Sequence, residues 1–229
     1  MLKNLTSEIF KHLDKNIDWN WDGKQSILHL KKHTNQWKQM EWQGFFWEEI
    51  GTQILANEMD MKIPGPKYGN VTIDTFLEIP WDFKAHNIHN NNENINKDIP
   101  TNGYKETKEC LKEYTKIGFI IASGKSQFES TPGHPFKQWH DELKGEKSKY
   151  VIDGIKNNRN KRRRKVDFTV LSVDFIILDM ETIDLCGKFQ EGMVNSNGTL
   201  RKAKLNLPFY EIINNKIPEI EYYRYKINR

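Results

Sequence analysis

Two aspartates and a lysine lie within one apolar, strand-like stretch, Ile73-Asp74-Thr75-Phe76-Leu77-Glu78-Ile79-Pro80-Trp81-Asp82-Phe83-Lys84. Asp82 follows Asp74 by eight positions, and Lys84 follows Asp82 by two. If the chain forms two adjacent strands here, the three side chains can meet at one point. Two carboxylates there can hold a divalent metal, and the ammonium can face a water or a phosphate. A hard cation such as Mg²⁺ takes oxygen ligands and keeps several waters, so two acids suffice. That is the minimum equipment for metal-assisted cleavage of a phosphodiester bond. Acids this close repel and raise a pKa unless a cation intervenes.

The elements that must position these groups can be read from the apolar spacing. Residues 1–34 are polar and helical in pattern, with Leu5, Ile9, Phe10 and Leu13 on one face. Residues 36–57 form the strongest helix candidate, with a stripe of Trp42, Phe46, Ile50 and Ile54 expected to face the core. Pro64-Gly65-Pro66 and Gly69-Asn70 mark a loop. Residues 71–77 and 79–85 read as strands, rich in Val, Ile, Phe and Trp. Residues 87–98 are Asn-rich and are expected to form a mobile loop. A helix over 101–114, a buried strand over 118–123 and a short helix over 135–143 follow. Residues 166–178 read as the best strand of the chain. The expected architecture is α/β, a mixed central sheet flanked by helices, in a single domain of 229 residues.

The Asp74-x(7)-Asp82-x-Lys84 pattern resembles the active-site motif of the PD-(D/E)xK nucleases, the superfamily of most type II restriction endonucleases. The resemblance covers residues 36–125, and it departs from the family pattern in having no proline before Asp74. It implies a PD-(D/E)xK core with the two acids on neighbouring strands. It implies Asp74 and Asp82 as metal ligands with the Phe83 carbonyl as a third, Mg²⁺ as cofactor, and Lys84 against the attacking water. Many members carry a glutamate on the preceding helix, which points to Glu48, with Glu49 in reserve. Glu78 and His86 are further candidates, because strand alternation places Glu78 on Asp74's side and His86 on the Asp82–Lys84 face. The activity implied is hydrolysis of a specific, palindromic double-stranded DNA site by a homodimer. A repair or junction nuclease with the same core, or a DNA-binding protein without catalysis, are the alternatives.

Outside that stretch the clearest signal is basic. Arg159, Lys161, Arg162, Arg163, Arg164 and Lys165 fill six of seven consecutive positions and lead into the strand at 166–178. Such a segment, fixed beside a core strand, suits DNA phosphates, and Arg can also read guanine edges. Lys125, just past the strand at 118–123, is a further DNA-contact candidate. The net charge of +4 permits a nucleic-acid partner without requiring one. Ser123-Gly124-Lys125-Ser126 lacks the glycine spacing of a phosphate-binding loop, so no nucleotide cofactor is expected. Cys110 and Cys186 stand far apart with no zinc spacing, which suits a reducing compartment. No apolar run approaches membrane length, and the expectation is a cytoplasmic protein with no membrane partner.

Overall fold

The structure is a computed structural model, and it describes residues 2–145, 152, 156–157, 163–195 and 198–228. The N-terminal layer is helical, with α1 (Leu2–Asn16), a short β1 (Asn20–Asp22), α2 (Gly23–His33) and α3 (Trp42–Met59). Small strands β2 (Lys67–Tyr68), β3 (Val71–Thr72) and β4 (Thr75–Leu77) lead into the long β5 (Ile79–Asn87). Next come β6 (Ile99–Gly103), α4 (Tyr104–Tyr114), β7 (Lys116–Lys125), α5 (Pro135–Lys144) and β8 (Asp167–Asp179). The chain continues through β9 (Gly187–Phe189), β10 (Lys204–Leu207), α6 (Phe209–Ile213) and β11 (Glu221–Lys226).

The central sheet runs β4-β5-β7-β8, and β1 and β11 both pair with β8. It is mixed: β5 and β7 are parallel, with α4 in the connection between them, and the other pairs are antiparallel. Register makes each face continuous across strands. Asp82, Lys84 and His86 of β5 align with Phe119, Ile121 and Ser123 of β7, and these with Ile176, Asp174 and Ser172 of β8. The opposite face carries Trp81 and Phe83, then Gly118 and Ile120, then Ile177 and Phe175.

Each face buries a separate apolar cluster. Under α1 and α3, Trp19, Trp42, Trp47, Trp81, Phe83 and Phe175 are nearly or fully buried. On the other face, Cys110 and Leu111 of α4, Leu205 and Leu207 of β10, and Phe209 and Ile212 of α6 cover Phe119, Ile121 and Ile176. The second cover includes a small sheet of order β6-β10-β9. No described helix is long and apolar enough to cross a membrane.

The expectations differ from the fold in five places, the first being that the helix expected from residue 36 begins at Trp42. The helical stretch at 1–34 is interrupted by β1, whose Trp21 is buried against Phe46, Trp47 and Phe168. The buried residues of α3 are Trp42, Gln43, Trp47, Gly51, Thr52 and Leu55, so of the stripe read in the sequence only Trp42 lies deep. Phe46, Ile50 and Ile54 are partly buried instead. This helix is covered on adjacent sides by the sheet and by α1 and α2, so an apolar period alone does not say which stripe lies deepest. The strand expected at 71–77 is broken at Ile73-Asp74, where the chain bends between β3 and β4. Residues 101–103, read as helix, are the end of β6.

Candidate functional site

β4 pairs with β5 only as far as Trp81. From Asp82 onward the outer edge of β5 has no strand partner among the described residues, and Asp74, in the bend before β4, reaches it. The Phe83 N–H donates to Asp74 Oδ2 at 2.6 Å. The bend is held tightly: the Gly65 N–H donates to the Ile73 carbonyl at 3.0 Å, and a Cβ at Gly65 would lie 2.6 Å from the Thr75 carbonyl oxygen. Asp74 is thus positioned by a backbone hydrogen bond to the residue between Asp82 and Lys84.

Asp82 is 1% exposed. Its Oδ1 accepts from Asn102 Nδ2 at 2.7 Å, and its Oδ2 is ion-paired with Lys84 Nζ and meets no other donor among the described residues. The Lys84 ammonium also donates to the Phe83 carbonyl at 3.0 Å. All three motif side chains are therefore gathered around the backbone of one residue, Phe83. That residue is anchored from behind, where its ring packs edge-on against Trp47 at 5.2 Å. Trp47 Nε1 donates to the Ile120 carbonyl at 3.0 Å, fixing α3 to β7. Gly51, one turn along α3, lets the helix approach so closely that a Cβ there would overlap the Phe83 ring.

α3 brings Glu48 into the electrostatic range of Lys84 and Asp82. Glu49 turns away, bonded to Gln53, with His33 Nδ1 at 3.9 Å. The glutamate that joins the cluster is Glu48. Glu78 does not join it: it sits exposed in the tight reversal between β4 and β5 with φ of 59°, so strand alternation does not extend through it. His86 does share the Asp82–Lys84 face, but its ring packs against Phe209 at 4.6 Å. Burial pushes the His86 pKa down to about 4, leaving it neutral.

The acids are crowded. Burial, followed by the Asp82 charge, holds Asp74 well above the ordinary carboxylate range, and Lys84 offsets this only in part. Burial also raises Glu48, again with Lys84 acting the other way. Burial opposes the Lys84 charge, but Asp82 and Asp74 outweigh it and its pKa rises. Lys84 is thus a firm ammonium within a cluster rich in negative charge. Among the described residues, no group of three or more His, Cys, Asp or Glu side chains is placed to hold a metal together. The converging oxygen donors are two carboxylates, Asp74 and Asp82, and the Phe83 carbonyl. Such a hard set fits Mg²⁺, which needs only one or two protein carboxylates. The Asp82 Oδ2, with no donor but Lys84, fits a ligand role too.

A cavity of about 560 Å³ opens beside Lys84, lined also by His86, Asn87, Asn96, Lys165 and Phe189. Two more, of about 390 and 500 Å³, share walls with it through Asn87 and continue past Asn90, Asn91, Phe128 and Arg163. Together they form a trough running away from Lys84. A separate cavity of about 530 Å³ between β1, α2 and α3 shares no residue with the site.

The basic segment divides. Arg163 and Lys125 are exposed beside the trough and make no ion pair among the described residues. Lys165 lines it while paired with Glu41 at 2.6 Å. Arg164, expected to meet DNA, is only 4% exposed, with Asp141 Oδ1 at 3.7 Å from its Nη2. It packs beside Asp141 of α5 and also borders the cavity of about 390 Å³, and its Nε and Nη1 find no partner among the described residues. Arg159, Lys161 and Arg162 lie outside the described residues.

Sequence reasoning missed Asn102. It comes from β6 in the smaller sheet, and nothing in its local sequence signals a partner 20 residues away. It also missed the order in the Asn-rich loop, where Asn87 Oδ1 accepts the Ser126 N–H at 2.9 Å and ties the loop to the end of β7.

Compared with protein-family models, with curated proteins and with solved structures, the chain gives no match.

Proposed function

We propose that this chain is a Mg²⁺-dependent endonuclease with a PD-(D/E)xK-type core, a type II restriction enzyme that cuts a specific site in double-stranded DNA. The observation that carries this reading is the convergence of Asp74, Asp82 and Lys84 on the Phe83 peptide. The open edge of β5, the supporting Glu48 and the adjoining trough with Arg163 and Lys125 add to it. A palindromic site would be engaged by a homodimer, one active site per strand.

A divalent cation at the two carboxylates would supply Lewis-acid stabilisation of the phosphate and a more acidic water. The protein's own groups then have distinct tasks. Asp74 and Asp82 would hold that cation against the edge of β5. Lys84 remains protonated, so it acts by donating hydrogen bonds and offsetting negative charge as the phosphate is attacked. Glu48, its proton affinity raised by burial, is suited to accept a proton from the attacking water. Asn102 keeps the buried Asp82 carboxylate oriented.

The test is digestion of plasmid and phage DNA with the purified protein in Mg²⁺, with EDTA as the control. Discrete, reproducible fragments are expected in Mg²⁺ alone. A smear, or cutting only at branched substrates, would replace restriction with a less specific or structure-directed nuclease. Intact DNA in both Mg²⁺ and Mn²⁺ would contradict the enzymatic reading.

A further inference from the structure

β5 does not stop at the candidate site. It runs from Lys84 through His86 into a hairpin spanning residues 88–96, whose sequence is Ile-His-Asn-Asn-Asn-Glu-Asn-Ile-Asn. This hairpin is tightly built. The Asn96 N–H donates to the Ile88 carbonyl at 2.8 Å, the Asn90 N–H to the Asn94 carbonyl at 2.9 Å, and His89 and Ile95 form a bridge. Asn90 Oδ1 accepts from the Asn92 and Asn94 N–H groups at 2.9 and 3.1 Å. At the base, Ile88 N–H donates to the Gly124 carbonyl at 2.9 Å. Asn87 and Asn96 bond to the His89 and Asn87 carbonyls.

The asparagines therefore fall into two groups. Asn87, Asn90 and Asn96 use their carboxamides to hold the hairpin, which is the ordinary turn-forming use of this residue. Asn91, Asn92 and Asn94 are exposed, and their side chains find no partner among the described residues. Turn formation does not account for these three. Asn91 alone of them lines the trough, where it faces two cavities and shares their walls with Arg163. Lys165 borders one of the cavities and Lys125 the other.

A free carboxamide on a stiff support is a specific chemical probe. It offers a donor and an acceptor side by side, which match N7 and the N6 amino group of adenine in the major groove. The flanking cations suit phosphates, which fix register without reading sequence. Rigid support is what base readout needs, because a loose side chain loses selectivity to entropy. The direct continuity of the hairpin with β5 couples such readout to the strand that carries Asp82 and Lys84.

We infer that Asn91 is a base-reading residue that contacts an adenine in duplex DNA, with Arg163 and Lys125 holding adjacent phosphates. This rests on the DNA-cleaving reading above and names a specificity determinant for it.

The experiment is selection of bound sequences from a randomised duplex library in Ca²⁺, where binding does not depend on cleavage. The full chain is compared with Asn91→Ala and with Asn91→Asp, which keeps an acceptor but loses the donors for N7. Thermal melting checks that the exposed substitutions leave the fold intact. The wild-type protein should enrich a motif with an A·T pair that both variants stop selecting, a loss of about tenfold or more in preference at that position. The rest of the motif should persist. An identical motif for all three proteins overturns the inference while leaving the nuclease reading in place. Loss of selectivity at a G·C pair overturns the assignment to adenine. No enrichment of any duplex by the wild-type protein overturns the DNA reading beneath it.

Discussion

On one face of β5, Trp81 and Phe83 are sealed against α3, Trp47 and Phe175. On the other, two residues apart along the same strand, Asp82 and Lys84 form a charged cluster with Asp74, in which burial and then like charge push the Asp74 carboxyl up, and Glu48 on α3 lies within its electrostatic range. The first face gains stability from every contact. The second loses some, since buried like charges raise one another's proton affinity. The difference shows why the two lie back to back. Strand alternation lets a closely packed anchor fix the backbone of Phe83, and that backbone in turn fixes the acids and the lysine. The site can tolerate repulsion because its geometry is set from behind.

Asp74→Asn keeps an acceptor for the Phe83 N–H but removes the charge. On the proposed nuclease reading, cleavage should fall by about 10²–10³ or more in rate, because an oxygen of the candidate metal site is lost. The metal-free protein should meanwhile melt higher, since burial and Asp82 disfavour the Asp74 charge. A gain of roughly 1 kcal/mol would appear as a rise of about 2–4 °C. A lower melting temperature would mean that the site face is not strained.

On the anchor face the sign reverses. Trp47→Ala removes a fully buried ring and its hydrogen bond to Ile120. It should cost about 3–5 kcal/mol in urea unfolding. A cost below about 1 kcal/mol would mean that α3 does not hold the strand in place.

The anchor side also contains an ionisable group whose burial has a readable consequence. His140 on α5 is 1% exposed, bonded through Nε2 to the Trp37 carbonyl at 2.9 Å. Burial pushes its pKa down to about 4 from 6.5. Below pH 6.5 the unfolded chain takes up the proton first, so stability is fully present above that pH and falls as pH drops towards 4. The upper bound on the effect is about 3 kcal/mol. His140→Gln should flatten the melting temperature between pH 7 and 4. A profile as steep as the wild type's would assign the acid loss to other groups.

The smallest effect belongs to the trough. Arg163→Ala should flatten the plot of log DNA affinity against log salt by about one unit, the loss of one phosphate contact. An unchanged slope would make Arg163 an ordinary solvated cation.

How much of this was legible follows from the range of each interaction. The sheet strands 116–125 and 167–179 are long and apolar, so their pattern announces them. The Asp74, Asp82 and Lys84 set was legible because its members lie within one short stretch of chain. The choice between Glu48 and Glu49 was not, since it depends on the rotation of α3, which Gly51 and Trp47 fix against β5 and β7. Arg163 and Arg164 are indistinguishable in sequence. Only the packing of α5, which brings Asp141 to Arg164, separates the surface cation from the buried one. Asn102 and the asparagine hairpin act through contacts that no local period encodes.

On the proposed nuclease reading, Lys84 serves the chemistry, not merely the balance of charge around Asp82. Single-turnover cleavage of saturated enzyme–DNA complex, followed across a Mg²⁺ titration, tests this for Lys84→Ala. The plateau rate should be lower by about 10²–10³, and added Mg²⁺ should not restore it. Recovery of the full wild-type rate at high Mg²⁺ would contradict that reading, and the convergence of these three side chains would then have only a structural meaning.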